Sequence, residues 1–382
     1  MTLRWKLFFA AVVFSSGVFV HAQEPGQDIP FFLTFVPNVQ FSPAYVAIEK
    51  GYFADAGMDV TIEHGDEPLG VDLIAADQLQ FGMISGEQLL SARAAGRPVV
   101  FVYEWFQRYP IGIVTSDTSD IVIAADLAGR RVGIPGRFGA SYSGLTALLN
   151  AAGMTEADIL LDEIGFNAPE VFCVGAVEAS VVYVNNEPLQ IADRARAGDC
   201  GDVTGVRVLA VADAVDMVSN GIITNERTIA EQPELVTAFV QAFDSGLRDV
   251  IRNPAEAYLI SGRYVEGLPL DERFQPALER VAAEQSDWLA AHPYATRAEL
   301  AERRRAMSEA LAVEMDGDYP VQYEVLLASI ELWDADRLGY TEAESWSLTQ
   351  EVLLSIDYIA APLEDLDSAF TNAFLPASLA SP

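Results

Sequence analysis

The chain has 382 residues, 51% of them hydrophobic, and a formal net charge of −33. That apolar content excludes a disordered chain and is enough for two domains with substantial cores. The acidic balance excludes nucleic acid as a partner, because such a surface repels phosphate backbones, and it disfavours anionic membranes.

The stretch MTLRWKLFFAAVVFSSGVFVHAQEP carries Arg4 and Lys6, then an apolar run from Leu7 to Val20, then Val20-His21-Ala22 at the expected cleavage positions. This pattern predicts a secretory signal peptide over residues 1–22, cut after Ala22. The run falls short of the ~20 residues that span a bilayer comfortably, and no basic flank follows it. The mature chain, beginning at Gln23, is expected in the periplasm. Loss of Arg4 and Lys6 takes its charge from −33 to −35.

From residue 28 strands and helices alternate. Phe31–Val36 is apolar enough for a strand buried on both faces. The loop PNVQFSP leads to a helix over 43–50, stopped by Gly51. MDVTIEH places Met58, Val60 and Ile62 on one face of a second strand. A helix over 69–76 and the strand LQFGMIS follow. Ser85 and Gln88 then have capping-box spacing at the start of a helix that runs to Gly96, and PVVFVYEW is the next strand. The grammar restarts in DLAGRRVGIPGRFGASYSG, with a strand over 131–134, a glycine-rich loop and a helix. A strand over 179–184 ends in a loop whose Pro188 suits a first helical turn, and GVRVLAVAD forms another strand. Beyond about residue 225 the chain is mostly helical; Thr341 and Glu344 have capping-box spacing there. Alternation of this kind predicts α/β architecture with parallel sheets and crossovers. The expected division is a first lobe of residues 28–112 plus 217–382 and a second lobe of 113–216. Two such lobes invite a ligand cleft between them.

Loops at the carboxyl ends of parallel strands converge on one edge. Here they carry Asn38, Gln40, Phe41, Tyr45, Ser85, Glu87, Trp105, Phe138, Tyr142, Tyr183, Asn185, Asn186 and Glu187, the candidate ligand-binding residues. Aromatic walls sandwich planar rings, and amides and carboxyls hydrogen-bond ring edges. Plainer roles stay open. Phe41 and Tyr45, four apart, also suit core packing, Asn185-Asn186 suits a turn, and Ser85 suits a helix cap. GRFGASYSG offers backbone N–H groups to a phosphate or sulfonate, yet lacks the spacing of GxxxxGK[ST] or GxGxxG.

Catalytic chemistry is poorly provided for. Of three histidines in the chain, His64 and His292 remain after the leader, without metal-ligand spacing. There is no GxSxG elbow. Lys50, the one lysine outside the leader, precedes Gly51 as in ordinary helix termination, which speaks against imine chemistry. No catalytic residue, metal or cofactor is expected. Cys173 and Cys200 either pair or stay as buried thiols.

The segments FVPNVQFSPAYVAIEKGYFADAGMDV, DLAGRRVGIPG, GASYSG, VGAVEASVVYVNNEP, LLASIELW and FTNAFLP, in this order, resemble the NMT1/THI5-like substrate-binding proteins of ABC importers. The resemblance implies the type II periplasmic-binding-protein fold, with two α/β lobes, two crossover strands, a ligand cleft and here a helical C-terminal extension. It implies a monomer that passes a small heterocycle to an ABC permease at the inner membrane. Within the family, PNVQF, SGEQ and VVYVNNEP are most similar to the riboflavin-binding branch. A formylaminopyrimidine or hydroxymethylpyrimidine, precursors of thiamine, is the alternative ligand. The family's pyrimidine synthases carry a Cys-Cys-Cys-Phe-Cys cluster that this sequence lacks, so an enzyme is not expected.

Overall fold

The computed structural model describes residues 26–215, 217–317 and 319–376; the predicted leader lies outside them. Its strands are β1 (Gln27–Thr34), β2 (Met58–Gly65), β3 (Phe81–Ser85), β4 (Val99–Glu104), β5 (Ile111–Ser116), β6 (Arg131–Ile134), β7 (Leu160–Glu163), β8 (Ala179–Tyr183), β9 (Val206–Ala210) and β10 (Asn220–Asn225). They form two five-stranded sheets, ordered β2-β1-β3-β10-β4 and β7-β6-β8-β5-β9.

The predicted strands all form, that over 131–134 with the expected ends and the others with shifted ones. β1 begins at Gln27 rather than Phe31 because its first half pairs with β2 alone; β3 joins only from Phe31 onward. That half-open edge tolerates Pro30, which lacks a backbone donor. The expectation of parallel sheets needs correction. β10 runs antiparallel to β3 and β4, and β5 antiparallel to β8 and β9. Each arrives from the other sheet along a direct crossing, so no helical crossover forces it parallel.

The capping boxes also differ from expectation. Ser85 Oγ accepts from Gln88 N at 3.4 Å, but Gln88 Oε1 accepts from Gly139 N and the Tyr358 hydroxyl instead of the Ser85 backbone. Thr341 caps nothing: its Oγ1 accepts from Trp346 Nε1 at 2.8 Å, and the helix starts at Ala343.

The first core is built around the helix Pro233–Arg252, whose Val236, Phe239, Val240, Phe243 and Leu247 recur at helical spacing and are buried. Phe239 stacks on Phe81 of β3 with centroids 3.9 Å apart. Gly246 lets this helix meet the helix Ser42–Glu49, since a Cβ there would lie 2.3 Å from the Pro43 carbonyl. The same core runs into the helix Val321–Trp333 through Leu326, Ile330 and Trp333. The helix Ala343–Ser355 packs on both Gly86–Ala94 and Gly139–Ala151, one in each lobe. The second lobe has its own core, with Ile113, Val132, Leu145, Leu149 and Val181. Cys173 and Cys200 are disulfide-bonded, which settles that alternative and joins the end of the helix Ala168–Cys173 to the turn beyond the helix Glu187–Ala197. Among the described residues, no helix is long and apolar enough to cross a membrane.

Candidate ligand-binding site

A cavity of ≈ 830 Å³, counting the space open to solvent at its mouth, lies between the two sheets. From the first lobe come Gln40, Phe41, Glu67, Trp105, Phe106 and Asn220; from the second come Phe138, Gly139, Tyr183, Asn186 and Glu187.

The loop after β1 is held by its own amide. Asn38 caps the turn Val39–Phe41, its Oδ1 accepting from Gln40 N at 3.0 Å. Asn185 Nδ2 donates to Gln40 Oε1 at 2.8 Å and to Ser329 Oγ at 2.7 Å. With Oε1 occupied, Gln40 has its Nε2 amide to offer an acceptor on a ligand. Phe41 and Trp105 lie 5.8 Å apart at 32°, and Trp105 packs on Trp333 at 5.2 Å. The aromatic wall is thus the margin of the main core. Trp105 Nε1 is buried without a hydrogen-bond partner, a state that native structures rarely leave unexplained.

Asn220, first residue of β10, organises the floor. Its backbone carbonyl accepts from Trp105 N and Phe106 N at 3.0 and 3.1 Å. Its Oδ1 accepts from the Tyr183 hydroxyl at 3.0 Å, and its Nδ2 donates to Glu67 Oε1 at 3.3 Å. Ser85 Oγ donates to Glu67 Oε2 at 2.8 Å, so Ser85 is both helix cap and carboxyl partner. Burial pushes Glu67 up to about 7, although both hydrogen bonds pull it back. Glu87 stands behind it, pushed up to about 8 by burial, with Glu67 adding to the shift. Glu187 is also raised to about 7 by burial; its Oε2 accepts from Tyr183 N at 2.9 Å. Among the described residues, no lysine, arginine or histidine lines the cavity.

At the mouth, Phe35 of the first lobe meets Phe166 of the second edge-on, with centroids 4.8 Å apart. Phe35 holds φ at 85°, a conformation that costs of order 1–3 kcal/mol in a non-glycine residue.

Of the candidate residues, Gln40, Phe41, Trp105, Phe138, Tyr183, Asn186 and Glu187 line the cavity. Asn38, Ser85 and Asn185 do not, but hold residues that do. Glu87 is buried behind the floor. Tyr45 lies elsewhere, stacked on Tyr264 at 4.4 Å within the core. Tyr142 is turned outward, its hydroxyl donating to Glu156 Oε2 at 2.8 Å. Lys50 is also away from the cavity, paired with Asp249 at 2.9 Å and Glu256 at 2.8 Å. Sequence reasoning missed Phe35, Glu67, Phe166 and Asn220. Glu67 follows β2 in HGDEP, where the same strand-end rule applies. Phe166 follows β7 and Asn220 opens β10, two strands that were not predicted.

Residues 38–257, more than half of the chain, match the family described as NMT1/THI5 like. The riboflavin-binding protein RibY of Chloroflexus aurantiacus is 32% identical over 364 residues, covering 93% of this chain and 88% of that one. The chain belongs to the NMT1/THI5-like family. A formylaminopyrimidine-binding protein of Halalkalibacterium halodurans is 28% identical over 60% of this chain and 68% of its own. A 4-amino-5-hydroxymethyl-2-methylpyrimidine phosphate synthase of Legionella pneumophila is 24% identical over 60% of this chain and 71% of its own. In fold, the periplasmic aliphatic sulphonate binding protein SsuA of Escherichia coli superimposes with a TM-score of 0.55 at 15% identity, covering 90% of this chain and 91% of that one. The architecture is therefore the periplasmic-binding-protein fold of ABC solute-binding proteins.

Proposed function

We propose that this NMT1/THI5-like chain is an exported solute-binding protein that captures riboflavin between its lobes in the periplasm and delivers it to an ABC permease. The observation that carries the reading is the cavity lining: Phe41, Trp105, Phe106, Phe138 and Tyr183 wall a space into which, among the described residues, no basic side chain projects. Such a space suits a planar, uncharged ring system. Gln40 Nε2 supplies a donor for a ring carbonyl, while Asn186, Glu187 and Glu67 supply polar contacts for a hydroxylated chain. The name of the Chloroflexus relative, whose similarity spans nearly the whole of both chains, supports the same ligand. The disulfide suits an oxidising compartment.

The second reading, a formylaminopyrimidine, draws on the Halalkalibacterium relative. An enzyme using imine chemistry gains no support, because Lys50 is held in its ion pairs outside the cavity.

Calorimetric titration of the chain from Gln23, refolded to strip any carried ligand, tests the proposal. Stoichiometric riboflavin binding is expected at a Kd of about 1 µM or tighter, equivalent to about −8.2 kcal/mol. Heat with formylaminopyrimidine and none with riboflavin would transfer the function to the second reading.

A further inference from the structure

The helix Gly139–Ala151 points its first turn into the cavity, where Gly139, Ala140 and Ser141 are part of the lining. The helix dipole and the N–H groups of its first turn, of which that of Gly139 already donates to Gln88 Oε1 at 3.3 Å, make such an end attractive to an anionic substituent on a ligand. Here the place beside it is taken. Glu67, from the first turn of the opposing helix Glu67–Ala75, lies so close to Gly139 that a Cβ there would be 2.1 Å from Glu67 Oε2. Gly139 also holds φ at +58°, so only glycine provides both the backbone and the clearance. Ser85 and Asn220 hold one carboxyl oxygen each, which prevents the group from swinging aside. Asp66 and Glu187 add two further acids to the lining, and no cation offsets them.

We propose that Glu67 determines the charge selectivity of the site, excluding phosphorylated and other anionic relatives of the ligand by presenting a carboxyl where their charge would meet the helix. This inference rests on the flavin reading above and deepens it: the cargo is free riboflavin rather than riboflavin 5′-phosphate. An anion entering the cavity meets a carboxyl that cannot move away and, among the described residues, finds no basic side chain in the lining. Repulsion of this kind separates ligands that share every ring contact.

The test compares riboflavin with riboflavin 5′-phosphate by calorimetry at pH 9, about two units above the Glu67 value of about 7, so that the carboxylate cannot be neutralised cheaply by taking up a proton. Wild type is expected to favour riboflavin by at least ~30-fold, a difference of about 2 kcal/mol. Glu67→Gln keeps hydrogen-bonding groups for Ser85 and Asn220 but removes the charge. It should bring the two affinities to within ~3-fold of each other by strengthening the phosphate relative to riboflavin. Equal wild-type affinities would overturn the inference alone, and that comparison stands whether or not the variant folds. Discrimination that persists in a Glu67→Gln protein still binding riboflavin would overturn it as well. Failure of wild type to bind riboflavin would remove the flavin reading and this inference together.

Discussion

On the first-lobe side, the cavity wall is the margin of a continuous aromatic core: Phe41, Trp105 and Phe106 belong to the same cluster as Phe243, Tyr323 and Trp333. On the second-lobe side, it consists largely of backbone and short side chains, including Gly139, Ala140, Ser141, Gly165 and Ala168, with Phe138, Phe166 and Tyr183 projecting from them. One jaw supplies a rigid platform braced by the C-terminal helices, and the other supplies close approach. Contact with a flat ring needs the first property, while selection at its polar edge and tail needs the second. The two sides should therefore respond differently to substitution.

The largest expected effect is on the platform. Trp105→Ala removes a side chain that packs on Phe41, Phe106, Phe243 and Trp333. Emptying such a site costs about 3–5 kcal/mol. Denaturant unfolding should show this loss, and riboflavin titration should show affinity falling by a factor of about 50 or more. A protein of wild-type stability after this change would show that the wall is separate from the core.

The second lobe is sharpened by its crosslink. The bond between Cys173 and Cys200 closes a loop with a sequence separation of 27. In the chain-entropy account, opening such a loop costs about 3.5 kcal/mol. The double variant Cys173→Ala/Cys200→Ala should unfold at lower denaturant yet bind riboflavin within ~3-fold of wild type, because the bond lies outside the cavity. A collapse of affinity equal to that of Trp105→Ala would erase the contrast between the jaws.

Much of this architecture was legible in the sequence, for identifiable reasons. Strands β1, β2, β3, β4, β6, β8 and β9 each carry an apolar run or an alternating face, and the glycines and caps around them mark their ends. β5, β7 and β10 escaped. β7 is short and largely unburied, and IGIVTS and NGIITN are strands whose partners lie in the sheet opposite to the one just completed. The site followed the same division. Loops after recognised strands yielded Gln40, Phe41, Trp105, Tyr183, Asn186 and Glu187, whereas Asn220 and Phe166 depended on strands not seen. Glu67 was lost for another reason. In a chain with 56 acidic residues, one carboxylate looks like surface charge until folding buries it.

Those buried acids set a smaller, distributed effect. Glu67, Glu87 and Glu187 are raised to about 7, 8 and 7, well above the ordinary carboxyl value near 4.5. A raised folded-state value means that the native protein binds protons more tightly than the unfolded chain. Their contribution is fully present below about pH 4.5 and is lost as pH rises through 7 to 8. Thermal unfolding of the ligand-free protein should thus move downward between pH 6 and pH 9, by roughly 5 °C, an order-of-magnitude figure for a loss of a few kcal/mol. Repulsion within a chain this acidic acts in the same direction. Glu67→Gln should flatten part of the slope, and an unchanged slope would show that general repulsion, not the cavity acids, controls it.

The smallest effect is the one on which a sequence reading and the structure part most clearly. Tyr142 belongs to the same glycine-rich segment as Gly139 and was a candidate for the ring wall. In the folded chain its helix carries it one turn beyond Gly139, and its hydroxyl donates to Glu156, which also pairs with Arg137. Half-exposed contacts of this kind contribute at most about 1 kcal/mol. Tyr142→Phe deletes the hydroxyl alone, so riboflavin affinity should stay within ~2-fold of wild type and stability within about 0.5 kcal/mol. A tenfold loss of affinity would require Tyr142 to reach the ligand, and the helix Gly139–Ala151 would then have to turn about its axis on binding. Retained affinity leaves the second jaw approaching the cavity through the backbone of Gly139, Ala140 and Ser141, with Glu67 facing it from the first.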